Sequence, residues 1–125
     1  MKLIQRWLGL FTLTLLVSTT AVTAQTAIDI AVLLPDSTSS ARWEHDDRRF
    51  LTAAFEAANV TYSIVNAEGD RQTQIAQAEQ ASTNGARVLL FVNLDGGSGA
   101  AIIAKAHEAG VLVIEQAQEW PAELI

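Results

Sequence analysis

Val88-Leu89-Leu90-Phe91-Val92-Asn93-Leu94-Asp95-Gly96-Gly97-Ser98-Gly99 decides the fold. Its first five residues are apolar without alternation. That pattern belongs to a strand covered on both faces, as in the interior of a parallel sheet, and not to a half-solvated antiparallel strand. The polar and glycine-rich remainder is a strand-to-helix turn, and the alanine-rich stretch after it predicts a helix from about residue 98 to 109. Gly110 then stands where a helix commonly ends in a left-handed residue.

Outward from this unit the same grammar repeats. Residues 111–114 (Val-Leu-Val-Ile) predict a fourth strand, again apolar on both faces. Upstream, Gly69-Asp70 opens a helix, with Asp70 a plausible N-cap, that runs to Asn84-Gly85. Residues 60–65 alternate, with Val60, Tyr62 and Ile64 against Thr61 and Ser63, which suits a strand near the edge of the sheet. Residues 42–58 place Trp43, Phe50, Leu51, Ala54, Phe55 and Ala58 on one helical face, with Ser39 or Ser40 as a cap. Glu44 and Arg48 are spaced for an i,i+4 pair on that helix, and Arg42 has Asp46 one turn on. Residues 28–34 are the first strand. The order βαβαβαβ with right-handed crossovers predicts an α/β fold: an open parallel sheet, strand order 2-1-3-4, helices on both faces.

Composition bounds the rest. The chain has 125 residues, of which half are apolar, so it holds one domain at most. It lacks cysteine, which excludes a disulfide framework, a Cys-ligated metal, a thiol nucleophile and a lipid-modified N-terminal cysteine. Residues 1–24 have the form of a cleavable signal peptide: Lys2 and Arg6 precede an apolar stretch, 7–17, followed by small residues ending in Val22-Thr23-Ala24. Without it, six basic residues face fourteen acidic ones, a formal charge of −8. So acidic a surface repels phosphate backbones and argues against a nucleic-acid partner.

Ligands of open α/β sheets bind beyond the carboxyl ends of the strands. The segments there are Pro35-Asp36-Ser37-Thr38-Ser39-Ser40 with Arg42-Trp43, then Asn66-Ala67-Glu68, then Asn93-Leu94-Asp95-Gly96-Gly97-Ser98-Gly99, and Glu115-Gln116. Carboxylates, amides, hydroxyls, a guanidinium and an indole on one edge suit a neutral polyhydroxy ligand: the polar groups bond its hydroxyls and the aromatic face stacks on a ring. The blander account is that Asp and Ser before helices act only as caps and that Trp43 is core.

The segments running from Pro35 through Arg42-Trp43-Glu44 to Asp47-Arg48, Asn66-Ala67-Glu68-Gly69-Asp70 with residues 72–80, and residues 92–100 resemble, in this order, periplasmic sugar-binding proteins of the xylose and ribose type. Residues 104–106 and 109–111 continue the resemblance, which covers about 28–114. It implies an exported, non-enzymatic binding protein without a cofactor. It also implies a monosaccharide ligand, a pentose above all, a monomeric state, and an ABC permease as membrane partner. It places Arg42 and Trp43 in the sugar cleft, Asp36 and Asp95 in loops facing it, and Glu115 and Gln116 where the family ordinarily has Asp-Arg. Gln116 lacks the guanidinium fork. On this reading residues 25–125 form part of an N-terminal lobe, truncated before a second lobe, and strand four lies at an exposed parallel edge.

Two other readings compete. Gly97-Ser98-Gly99 between a strand and a helix, with Glu115 ending the next strand, mimics a dinucleotide fingerprint, but Ile102 stands where the third glycine belongs. A truncated, non-binding remnant is the other. His45 and His107 are the only histidines, and His45-Asp46-Asp47 reads as a solvated charge run, not a metal site. If export proceeds as expected, N-terminal sequencing of the protein recovered from the cell envelope starts at Gln25, whereas a start at Met1 contradicts cleavage.

Overall fold

The computed structural model describes residues 27–116. The expected signal peptide, and the chain beyond Gln116, lie outside the described residues. Four parallel strands form one sheet: β1 (Ile30–Leu34), β2 (Tyr62–Asn66), β3 (Val88–Phe91) and β4 (Leu112–Glu115). Their order is β2-β1-β3-β4, the predicted one. Each strand starts or stops within two residues of its sequence-based bounds, the usual looseness of strand ends. Between the strands lie α1 (Arg48–Ala58), preceded by a wider π-helical segment (Arg42–Asp47), then α2 (Arg71–Thr83) and α3 (Gly96–Glu108).

Register assigns the two faces. Ala31, Ser63, Leu89 and Val113 pair across the sheet, so their side chains share a face, while Val32, Ile64, Leu90 and Ile114 share the other. Ala31, Leu33, Leu89 and Phe91 form the core with Ala78 and Ala81 of α2 and Ile102 and Ala106 of α3. The alanines let both helices lie close on this face, and Lys105 of α3 bridges to Glu79 of α2 at 2.5 Å. On the opposite face α1 meets β2 through Phe55, whose ring lies 5.3 Å from that of Tyr62. Helices therefore flank the sheet on both sides, as expected, with unequal cover.

That inequality corrects two sequence expectations. Strand four was expected to be covered on both faces, yet Leu112 is 70% and Ile114 55% exposed. Val113 packs against the α2–α3 core, whereas the side chains on either side of it point to the thinly covered face. An apolar run reveals apolar character on both faces, not that both are buried. β4 is also an edge strand, as anticipated. The proposed apolar face of α1 is likewise incomplete: none of its residues is fully buried, and Phe50 is 61% exposed, with the Arg49 guanidinium 4.5 Å from its ring centre. One helix lying over the β2 side of the face does not reach across to β4.

The π-helical start is the other departure. The expected Arg42–Asp46 pair is absent; Arg42 Nε donates to Asp47 Oδ1 at 3.3 Å, five residues on, and Asp46 pairs with Arg49. A π turn brings i and i+5 together where an α turn brings i and i+4. Across the junction into α1, Glu44 and Arg48 still make the i,i+4 pair that the sequence predicted, through two bonds of 2.5 and 3.1 Å.

Ile102 is fully buried and Leu112 mostly exposed. Urea unfolding is therefore expected to show a loss of about 2–5 kcal/mol for Ile102→Ala. The loss for Leu112→Ala should stay below about 1 kcal/mol, because little apolar area leaves water there.

Candidate functional site

Because all four strands are parallel, their carboxyl ends emerge at one edge of the sheet. The loops at this edge are tied to one another. After β1 the chain turns at Asp36, whose Oδ1 accepts the backbone N–H of Thr38 at 2.7 Å and that of Ser39, while its Oδ2 accepts the Ser39 hydroxyl at 2.6 Å. The next loop is pinned beside it: Gly69 N–H donates to Pro35 O at 2.9 Å, and Ser37 Oγ donates to Glu68 Oε2 at 2.6 Å. Gly69 has φ of +80°, a conformation that glycine adopts without steric cost.

Asp95 performs the same service after β3. Its Oδ1 accepts from the backbone N–H groups of Gly97 (2.8 Å) and Ser98 (3.0 Å), which starts α3 two residues earlier than the sequence predicted. Its Oδ2 accepts from Arg71 of α2 at 3.2 Å. Asp70 caps α2 through Thr73 N–H at 2.6 Å, as anticipated. The Ser39 hydroxyl holds the Asp36 carboxyl below its ordinary range, and the Ser98 backbone N–H chiefly does so for Asp95. The Asp36 turn and the Asp95 cap are therefore both carboxylates at neutral pH.

The third loop also meets the end of β4. A side-chain carbon added to Gly99 would lie 3.1 Å from Asn93 Cβ and Nδ2 and 3.3 Å from Glu115 Oε1. Asn93, the α3 backbone at Gly99 and Glu115 are thus brought together, and a larger residue at 99 would press on both side chains. Gln116 closes the β4 end with its N–H on Phe91 O at 2.8 Å.

Arg42 and Trp43 stand at the start of the first helix, each with its backbone N–H bonded to Ser40 of the β1 loop at 3.3 Å. Trp43 is 3% exposed, and the Arg42 guanidinium lies 4.5 Å from its ring centre. So enclosed, the indole can wall a site but offers little free face for stacking. Arg42 itself is exposed, and its hydrogen bond goes to Asp47, not to Asp36, Asp95 or Glu115. Of the sequence-derived set, then, Glu115 lies against the β3–α3 loop that Asp95 caps, Asp36 braces the neighbouring loop, and Arg42 with Trp43 follows on from that loop through backbone bonds to Ser40.

Sequence reasoning left out Gln74 and the part Asn66 plays beside the predicted Glu44–Arg48 pair: Asn66 Nδ2 donates to Glu44 Oε2 at 2.8 Å and Arg48 to Ile64 O at 3.0 Å. Gln74 of α2 is fully buried. Its Nε2 donates to Val92 O at 2.8 Å, and its Oε1 has no hydrogen-bond partner among the described residues. One turn on, Gln77 Nε2 donates to Asn66 O at 2.8 Å. Polar residue types in a helix read as solvent-facing, so no sequence signal marked these two; only their spacing of three, which sets them on one helical face, was available.

Among the described residues no cluster of three or more metal-ligating side chains occurs, and no helix is long and apolar enough to cross a membrane. An open hollow of about 630 Å³ lies at the opposite, amino end of the sheet, between Asp29, Arg87, Gly110 and Leu112. Its charged pair, Arg87 and Asp29, sits 3.7 Å apart with the arginine largely in solvent. It lacks the converging loops of the carboxyl edge, where sheets of this type hold ligands.

This architecture is that of an α/β binding lobe, and the chain belongs to the periplasmic binding protein domain family, whose profile matches residues 30–119. Among known proteins it is similar to the multiple sugar-binding periplasmic receptor ChvE of Rhizobium radiobacter, with 31% identity over 85 residues. The match covers 68% of this chain but 23% of the receptor, so the chain spans less than a quarter of that relative's length. Members of this family bind solutes and are not enzymes, which leaves the dinucleotide-enzyme reading without support.

The depressed carboxyls give a pH dependence of stability. An aspartate whose folded pKa lies below its ordinary 3.8 contributes fully above about pH 5, and that contribution is lost as the pH falls through the lowered value. Thermal melts followed by circular dichroism should show Tm falling as the pH drops from about 5 to 3. Asp36→Asn should lower Tm at neutral pH and flatten part of the acid arm; an acid arm identical to the parent's contradicts a stabilising role for the Asp36 turn.

Proposed function

We propose that this protein is an exported, non-catalytic binding lobe that takes a monosaccharide, a pentose by preference, at the carboxyl edge of its sheet and serves an ABC permease. It acts in the periplasm as a monomer, its signal peptide removed. Arg42 donates to sugar hydroxyls and Trp43 walls the site. Glu115 and Gln116 contribute an acceptor and an amide, and Asp36 and Asp95 accept with the lone pairs that capping leaves. The observation that carries this reading is the convergence of three linked loops and the β4 end, all polar, on one edge of a lobe in a solute-binding family. The chain's similarity to a sugar-binding receptor supports a sugar over other solutes. Binding needs no cofactor, because hydrogen bonds to hydroxyls and apolar contact suffice for a neutral polyol.

A second reading, a lobe that folds but binds nothing, is favoured by one observation: the exposed Leu112 and Ile114 leave a sheet face beside Glu115 without cover. Calorimetry of the mature chain against a panel of monosaccharides separates the two. The proposed function predicts saturable heat with a pentose, and at least about tenfold weaker binding for Arg42→Ala, the range of one lost charge-assisted hydrogen bond. Silence across the panel supports the second reading. Binding that survives Arg42→Ala unchanged removes Arg42 from the site.

A further inference from the structure

We infer that Gln74 is the positioning residue of the ligand edge: from inside α2 it fixes the height of the β3–α3 loop, with Arg71 as its outer partner. The loop has two tethers to α2. The inner one is the 2.8 Å bond from Gln74 Nε2 to Val92 O, in a fully buried setting. The outer one is the 3.2 Å bond from Arg71 to Asp95, on the surface, with the Arg71 side chain 66% exposed. They stand three residues apart on α2 and three apart on the loop, so together they hold both its position and its tilt. A carbonyl oxygen only accepts, so the Gln74 group facing Val92 must be its amide NH2. That leaves Oε1 buried without a hydrogen-bond partner among the described residues. A methionine of the same length would fill the space and avoid this unpaired acceptor, so packing alone does not account for a glutamine here. The bond to Val92 does, since the segment it holds carries Asn93 and the Asp95 cap.

The tethers also explain how α2, which offers no side chain of the candidate set, governs the site. Gln77 repeats the inner contact on Asn66 O at the end of β2, so one face of α2 grips the ends of two strands. The charged groups on the joined segments are Asp70, Arg71 and Asp95. Asp70 caps α2, while Arg71 and Asp95 neutralise one another.

Amide hydrogen exchange measured by NMR tests this in the mature chain, without any ligand. Gln74→Met should lower the protection of the Gly97 and Ser98 amides at least about tenfold at pH 7, leaving the β1 amides of residues 31–34 unchanged. Gln74→Glu distinguishes positioning from filling. Burial and the facing carbonyl both raise the pKa of the introduced carboxyl, so its carboxylate forms only in alkaline solution, near about pH 9, where it would face the Val92 carbonyl and the loop should loosen as in Gln74→Met. At about pH 5 the buried acid is protonated and donates to the same oxygen, so protection should return to within about threefold of the parent. Asp95 stays ionised across that range because its N–H partners hold it low. Arg71→Gln, a surface change that leaves the fold intact, should loosen the same two amides to a lesser degree. Unchanged protection in Gln74→Met, a parallel loss at residues 31–34, or a Gln74→Glu variant indifferent to pH overturns the inference.

The binding arm rests on the proposed function. If the parent chain binds a pentose, Gln74→Met should weaken it about tenfold and Gln74→Glu should regain affinity on acidification. If the parent binds no sugar, the proposed function fails while the exchange result still decides the role of Gln74.

Discussion

Everything at the candidate site depends on β1 being held between β2 and β3 with all chain directions alike. Ile30 aligns with both Tyr62 and Val88, and Leu33 with both Val65 and Phe91, so neither neighbour is free to slip. A one-residue shift would turn Leu33, Leu89 or Phe91 out of the α2–α3 core toward the thinly covered face. With that register fixed, the four strands end together, and the segments after them are neighbours however far apart they lie in sequence. Ser37 reaches Glu68 and Arg71 reaches Asp95 for this reason alone.

The carboxylates at this edge act first on the protein itself. Asp36 and Asp95 each turn the chain by taking up backbone N–H groups that would otherwise face water or a ligand unpaired. Loops fastened in this manner hold their shape before a ligand arrives, which lowers the entropic cost of binding. The same logic extends inward to Gln74, which secures the β3–α3 loop from beneath. The opposite face tells a different story. Leu112, Ile114 and Phe50 remain in water, so the face under α1 is closed over β1, where Val32 and Leu34 are buried, and open toward β4.

The sheet and its order were legible because apolar runs, turn residues and crossover handedness all point the same way. Asp70, Gly85 and Gly110 marked the helix boundaries where they fall, the two glycines at positive φ. Other features were hidden for physical reasons. Arg42–Asp47 carries no signature that separates π from α winding, and one extra residue per turn suffices to move the partner of Arg42 from Asp46 to Asp47. Burial of β4 depends on what covers it, which strand composition does not encode. At the edge, the sequence named Asp36, Asp95 and Glu115 as candidates, but which carboxylates already serve the backbone was visible only in the geometry. Gln74 escaped notice because a glutamine is ordinarily exposed, and its burial is tolerable only where its amide finds a carbonyl.

The central claim is that the carboxyl edge of this lobe is its ligand surface. Backbone NMR shift mapping during titration with a monosaccharide tests it most directly. The account predicts perturbations in the loops around residues 36–43, 66–71 and 93–99 and at Glu115 and Gln116, the regions that converge there. Perturbations confined to the amino end of the sheet, around Asp29, Arg87 and Gly110, would contradict it.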